Sequence, residues 1–250
     1  MINMEHLFVS CSDPGKVRNQ NEDFAGHAIN KAIGAELFCV ADGMGGYGSG
    51  DLASRSVVDA FIREFITVDS WEQDSANQRM AEFFSKAQKT LRIVKESTHI
   101  ASMFGTTLSA LILFQDAVIY ANVGDTRIYC FDGEKLTQKT HDHTIVNDLL
   151  RKNLISIDEA RVHPQKHVLT QAITGDGTPI EPFIRVEPLN RDHIYLICSD
   201  GLYNMVDADF IQAALKQSPI SQARDDMLKQ AYASGATDNI TFQIIKYVFI

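Results

Sequence analysis

The segment GTTLSALILFQDAVIYANVGDTRIYCF, residues 105–131, carries three apolar runs with almost nothing between them. Thr106 to Leu113, Ala117 to Val123 and Arg127 to Phe131 are rich in Leu, Ile, Val and Tyr, side chains that suit a pleated and buried surface. Parallel pairing would need a crossover of about a dozen residues or more, and these connections are far shorter. An antiparallel meander is therefore expected. Asp132-Gly133 reads as the turn into one further short strand, Glu134 to Thr137.

Toward the N-terminus, Leu7-Phe8-Val9, Asp23 to Ile29 and Leu37 to Ala41 alternate with polar breaks and read as strands. From about Asp51 the period becomes helical: Val57, Val58, Phe61, Ile62 and Phe65 share one face, with Ser49 or Asp51 placed to cap it. Met80, Phe83, Phe84, Ala87, Leu91 and Val94 mark a second helical stripe. Toward the C-terminus, Thr144 to about Pro182 mixes short helical pieces with His163-Pro164, Gly175-Asp176-Gly177 and Thr178-Pro179, and reads as a mobile excursion over the core. A strand at His193 to Ser199, helices at about Asp207 to Leu215 and Ser221 to Ala233, and a strand at Ile240 to Ile250 complete the pattern. Antiparallel strands with helices inserted in pairs give an α+β layered fold, because helices must cover sheet faces while the sheets bury each other. No repeat, linker or low-complexity tract divides the chain, so residues 1–250 are expected to form one domain.

With 250 residues, 45% of them hydrophobic, the chain can bury a substantial core. Its net charge of -9 argues against a surface for nucleic acid or anionic lipid, and concentrated carboxylates collect cations instead. No apolar stretch approaches the ~18 residues of a membrane span, and Met1-Ile2-Asn3-Met4-Glu5-His6 has no basic segment followed by an apolar run. A soluble, cytoplasmic protein is the expectation. Cys11, Cys39, Cys130 and Cys198 lie far apart, the last three in or beside apolar runs where reduced thiols pack, so neither disulfides nor a cysteine zinc site is expected.

Three of the apolar strands end in an aspartate beside a glycine: Asp42-Gly43, Gly124-Asp125 and Asp200-Gly201. Asp238 stands just before the strand that begins at Ile240. A strand end is rigid, so carboxylates placed there can converge without the ordering cost of a loop, and glycine lets backbone and ion approach closely. Carboxylate and carbonyl oxygens are hard ligands, suited to magnesium or manganese, and carboxylates sharing a pocket repel unless cations neutralise them. Asp-Gly is also an ordinary hairpin signal, so each aspartate taken singly is open to a structural reading.

Taken together, Arg18-Asn19-Gln20-Asn21-Glu22-Asp23, Ala41-Asp42-Gly43-Met44-Gly45-Gly46, Gly105-Thr106-Thr107, Gly124-Asp125-Thr126-Arg127, Ser199-Asp200-Gly201-Leu202 and Thr237-Asp238-Asn239-Ile240-Thr241 form an ordered set. The set resembles the metal-dependent protein phosphatases of the 2C type, in their bacterial branch, over about Asp13 to Thr241. The resemblance implies a four-layer α-β-β-α sandwich of two antiparallel sheets flanked by helix pairs, with residues 144–182 as a flap beside the active site. It implies hydrolysis of phosphoserine and phosphothreonine with two or three Mn2+ or Mg2+ ions. By the same resemblance Asp42 bridges two metals, Gly43 offers its carbonyl, and Asp200 and Asp238 complete the first site. Glu22 and Asp23 would act through metal-bound waters, Asp125 with Asp200 matches a third metal site, and Arg18 grips the substrate phosphate. The implied partners are phosphorylated proteins, including a cognate serine/threonine kinase or its substrates, met by a monomer.

Phosphate monoesters hydrolyse extremely slowly, so the implied enzyme needs a strong nucleophile and a way to neutralise the transferring group. A water bridging the cations at Asp42 would attack phosphorus in line, while the ions and Arg18 stabilise the equatorial oxygens. No phosphoenzyme is called for, since no cysteine has an arginine six positions later. Met44 departs from many eukaryotic members, which carry histidine there as the proposed general acid; methionine has no proton to give, so the donor is a metal-bound water or a group not yet assigned. Ala236 stands where glycine is common. His141-Asp142-His143 and His163 read as turn and cap chemistry rather than a metal cluster, although the resemblance places Asp142 and His143 near the site. Gly46-Tyr47-Gly48-Ser49-Gly50 lacks the lysine of a nucleotide loop and reads as a helix entry. The alternative function is a catalytically silent, phosphoprotein-binding pseudophosphatase. A calcium-binding structural role fails for want of a contiguous Asp-rich loop.

Overall fold

Strands whose residues are apolar without interruption must be buried on both faces, and that is how the central strands of this chain lie. The computed structural model describes residues 4–216 and 219–249. Along them run β1 (Met4–Asp13), β2 (Asp23–Asn30), β3 (Ala35–Gly45), α1 (Gly50–Ile66), α2 (Ala76–Thr98), β4 (Phe104–Thr106), β5 (Leu108–Leu113), β6 (Ala117–Val123), β7 (Arg127–Phe131) and β8 (Leu136–Gln138). There follow α3 (Ile145–Arg151), α4 (Ile157–Val162), β9 (Ile173–Thr174), β10 (Phe183–Pro188), β11 (Ile194–Cys198), α5 (Asp200–Tyr203), α6 (Ala208–Leu215), α7 (Ile220–Ala233) and β12 (Ile240–Phe249). Ile250, expected to end the last strand, lies outside the described residues.

One sheet has the order β1-β12-β11-β7-β8, the other β10-β6-β5-β3-β4-β9 with β2 also paired to β3, and every pairing is antiparallel. Alternation along single strands divides the core into layers. On β3, Leu37, Cys39 and Ala41 pack with Val57, Phe61 and Phe84 of α1 and α2, while Phe38 and Val40 face the opposite sheet. On β11, Leu196 and Cys198 pack under α6 and α7, while Tyr195 and Ile197 meet Phe38 and Val40 between the sheets. The result is the four-layer α-β-β-α sandwich expected. Phe61 meets Phe83 and Phe84 edge-on, at 5.5 and 5.0 Å between ring centres, which pins α1 against α2.

Some details differ from the sequence reading. The strand expected at Leu7 to Val9 runs from Met4 to Asp13, drawn out along the whole of β12. The short strand after Asp132-Gly133 falls at Leu136 to Gln138, because the Asp132 carboxylate accepts from the Glu134 and Lys135 amides and keeps them in the turn. β10 was not foreseen: Phe-Ile-Arg-Val-Glu-Pro lies half-exposed on a sheet edge, pairing β6, and its mixed composition carries no buried-strand signal. The excursion from Thr144 to Pro182 is tied down by β9, which pairs with β4, whereas α3 buries no residue fully and α4 only Ala160. Among the described residues no helix is long and apolar enough to cross a membrane.

Candidate active site

Asp42 was expected at a strand end; instead β3 runs on to Gly45, and Asp42 sits where the strand changes partners. Up to this residue β3 pairs with β2, Asp23 opposite Asp42, and beyond it with β4, Gly43 opposite Thr106. The Asp42 peptide is gripped on both sides. Its N–H donates to Thr107 Oγ1 at 3.0 Å, and its carbonyl accepts from the Thr107 amide at 2.9 Å and Thr106 Oγ1 at 2.8 Å. The Gly105-Thr106-Thr107 motif thus fixes the direction of the carboxylate.

Gly43 lies against α1 so closely that a β-carbon there would overlap the Gly50 carbonyl oxygen. Ser49 occupies the N-cap position of α1 as foreseen, but its hydroxyl donates to the Gly46 carbonyl and makes no cap. Glu22 does that work: its Oε1 accepts from the Gly50 amide at 3.0 Å, a carboxylate set on the positive end of a helix. The Glu22 backbone joins in, its carbonyl accepting from Gly43 N–H at 3.1 Å and Ser54 Oγ at 2.7 Å.

Buried Asn239 holds the segment before Glu22 in place. Its Oδ1 accepts from the Glu22 amide at 2.8 Å, and its Nδ2 donates to the carbonyls of Pro14 and Gln20 at 3.0 and 2.9 Å. That segment carries Arg18, whose guanidinium donates to Asp238 Oδ2 at 2.8 Å with the two side chains 51% and 35% exposed. In the sequence Asn239 is only one member of a motif with no role of its own, and its one signal is an amide wedged between an acidic residue and an apolar strand.

Asp200 opens α5 immediately after β11. Asn204 Nδ2 donates to its Oδ2 at 3.1 Å, and a β-carbon on Gly201 would overlap the Asn239 carbonyl, so α5 is pressed onto the start of β12. Ser199 Oγ donates to Asp23 Oδ2 at 2.6 Å and accepts from the Thr241 amide at 3.1 Å, a bridge between the sheets. Asp125 follows β6, and the Tyr203 hydroxyl donates to its carbonyl at 3.0 Å. The Arg127 guanidinium lies 3.5 Å from the Tyr203 ring centre and grips Asp142 through contacts of 2.6 to 3.1 Å. His143 Nδ1 accepts from the Gly124 amide at 3.2 Å, and Thr144 caps α3. Asp142 and His143 are thus a brace under the Asp125 loop, through Arg127 and the Gly124 amide, rather than the turn and cap residues expected, the cap falling to Thr144, while His163 accepts from Gln165 N–H in a turn of its own.

These elements enclose a cleft of about 910 Å³ whose wall includes Arg18, Glu22, Asp42, Gly43, Asp125, Asp200 and Asp238. Asp23 does not line it; it is 6% exposed and turned to Ser199. Burial, reinforced by Asp23, Asp200, Asp125 and Asp238, pushes the Asp42 carboxyl well above the usual carboxylate range. Burial likewise raises Asp200, and lifts Asp23 and Asp125 to about 7. The hydrogen bond it donates to Asp238 holds the Arg18 guanidinium still more firmly protonated. So many carboxylates, with Arg18 on one of them, call for more positive charge than the nearby side chains supply. Among the described residues no group of three acidic, imidazole or thiol side chains stands together as an all-protein metal cage. The donors instead ring a space that admits water, the arrangement suited to magnesium or manganese, which keep several waters and take one or two carboxylates each. The residues present therefore fit hard divalent cations.

Residues 16–233 match the family model of protein phosphatase 2C. The chain is 35% identical over 243 residues to the serine/threonine phosphatase stp of Listeria monocytogenes, an alignment that covers 94% of this chain and 93% of that protein. The S. agalactiae serine/threonine phosphatase superposes with a TM-score of 0.89 at 30% identity, over 97% of this chain and 99% of the other. The catalytic domain of the serine threonine protein phosphatase PstP, solved in complex with 2 manganese ions, superposes with a TM-score of 0.84 at 26% identity, over 98% and 100% of the two chains.

Proposed function

The chain belongs to the protein phosphatase 2C family, and from that premise we propose that it is a metal-dependent phosphatase acting on phosphoserine and phosphothreonine in other proteins. Asp42, the Gly43 carbonyl, Asp200 and Asp238 would hold the principal manganese or magnesium ions, Asp125 with Asp200 would hold a third, and Glu22 would reach them through water, whereas Asp23, expected to do the same, is buried and turned to Ser199 rather than to the cleft. The observation that carries this reading is the meeting of Asp42, Asp125, Asp200 and Asp238, from distant parts of the chain, around one cleft.

When bound, the cations supply an activated water for in-line attack on phosphorus and neutralise the equatorial oxygens. Thr106 and Thr107 keep Asp42 aimed into the cleft, and Asn239 keeps the Arg18 segment at its mouth. Arg18 presents a planar fork of donors that matches two phosphate oxygens, and it would exchange its contact with Asp238 for one with substrate. Met44 lines the cleft but gives no proton to the departing oxygen.

The substrates are phosphorylated proteins, a cognate serine/threonine kinase or its targets among them, and residues 1–250 act as one monomeric, cytoplasmic domain. The test is hydrolysis of an aryl phosphate and of phosphoserine and phosphothreonine peptides with manganese. Turnover should vanish on chelation and in Asp200→Ala. Binding of manganese and phosphopeptide without turnover would instead establish the silent, phosphoprotein-binding alternative.

A further inference from the structure

We propose that His167, on the flap, is the proton donor to the departing serine or threonine oxygen; the inference rests on the phosphatase reading above. An alkoxide is a poor leaving group, and protonating it as the bond to phosphorus breaks is worth about 10²–10⁴ in rate. His167 lines the same cleft as Asp42, Asp200 and Arg18. Of the side-chain types there, imidazole is the one whose ordinary titration spans neutrality, so it can both hold a proton and release it. A guanidinium or an ammonium is by type too weak an acid near neutrality, the hydroxyls of Thr107 and Thr237 are weaker still, and the carboxylates would be committed to cations.

The backbone around His167 is held in place although the residue itself is exposed. Val168 N–H donates to the Gln165 carbonyl at 3.1 Å, and the Val168 carbonyl accepts from the Ile145 amide at 3.0 Å. Leu169 bridges Thr144, and Thr170 N–H donates to the His143 carbonyl at 2.8 Å. His143 N–H in turn donates to the Gly124 carbonyl at 2.9 Å, beside Asp125. A run of hydrogen bonds thus ties the flap next to His167 to the loop that carries an acidic wall of the cleft. The imidazole is also near enough for its charge to be felt by Asp200, whose ionised form it favours.

In the step itself the water oxygen bonds to phosphorus as the P–O bond to serine or threonine breaks. The bonding pair goes to the side-chain oxygen, which takes the imidazolium proton. The neutral ring regains a proton from solvent, and the entering water gives one up. The sum is phosphomonoester plus water giving free hydroxyl and inorganic phosphate.

The experiment compares the wild-type chain with His167→Gln, both with manganese, on substituted phenyl phosphates of increasing phenol pKa and on a phosphothreonine peptide. A proton donor matters more as the leaving oxygen becomes more basic. The deficit in kcat should therefore grow from a few-fold on 4-nitrophenyl phosphate to about 100-fold on phenyl phosphate and on the peptide. Added imidazole should return part of the lost turnover to His167→Ala. A deficit equal across the series, or no deficit at all, overturns the proposal and leaves the phosphatase reading standing. A wild-type chain inert on every substrate overturns both.

Discussion

The side-chain amide of Asn239 serves three backbone groups of residues 14–22 at once. In Asn239→Ala the half-buried Glu22 amide and the carbonyls of exposed Pro14 and Gln20 lose that partner, at about 0.5–1.5 kcal/mol for each hydrogen bond. The variant should have a lower urea midpoint. Because Arg18 rides on the same segment, it should also have a raised KM for phosphopeptides, and a lower midpoint with KM unmoved would separate Arg18 from the clamp. The carboxylates give a pH dependence whose sign is fixed. Asp23, Asp42, Asp125 and Asp200 bind protons more tightly folded than unfolded, chiefly through burial, with Asp23 and Asp125 at about 7. Their contribution to stability is therefore fully present below the ordinary aspartate value of about 4 and is lost as pH rises through about 7. In chelator the chain should melt lower at pH 8 than at pH 6, by about 2–4 °C for each kcal/mol, and manganese should restore it. A melt in chelator that stays level between those values would mean that burial does not hold these acids protonated. Asp42, Asp125 and Asp200 were legible in the sequence because each sits beside a glycine next to an apolar run, and Asp238 because it stands just before a strand, whereas Asp23 stood out only as part of its motif. Thr107, Ser199 and Asn239 were not given roles, because hydroxyls and amides act through single hydrogen bonds that leave no period.

Helices and strands that cover a sheet were readable where their apolar positions repeat, and obscure where a neighbour overrides the local signal. Ser49 stands at the start of α1 with a good capping side chain, yet Glu22, distant in sequence, takes the Gly50 amide, an outcome that only the fold can set. β10 escaped notice because an edge strand needs only backbone pairing on one side, so its side chains can mix apolar and charged types. The flap was legible as an excursion, since Gly and Pro interrupt it, but its anchor at β9 is two residues long and below the reach of any pattern. With α3 burying nothing fully and α4 only Ala160, amides of residues 145–162 should exchange with deuterium markedly faster than those of β5 and β6. Equal protection in the flap and the sheets would contradict a loosely held flap.

Across the molecule, the layer between the sheets joins the two halves, with Phe38 of β3 against Tyr195 and Ile197 of β11. Apolar faces on both sides made each strand easy to recognise but gave no hint of which sheet it joins, since that depends on partners far along the chain. Phe38→Ala should cost about 3–5 kcal/mol, and because the layer is shared, circular dichroism and intrinsic fluorescence should still report one coincident unfolding transition at lower urea. Two separated transitions would show that the sheets unfold independently. The pairing of β1 with β12, and the clasp of Asn239 on residues 14–22, have a further effect during synthesis. The nascent chain exposes its first strand long before its last leaves the ribosome, and domains are completed only once their segments have emerged. Arg18 and Asp238 can meet only after β12 has begun to emerge, so the acidic cleft is assembled late in synthesis rather than piece by piece.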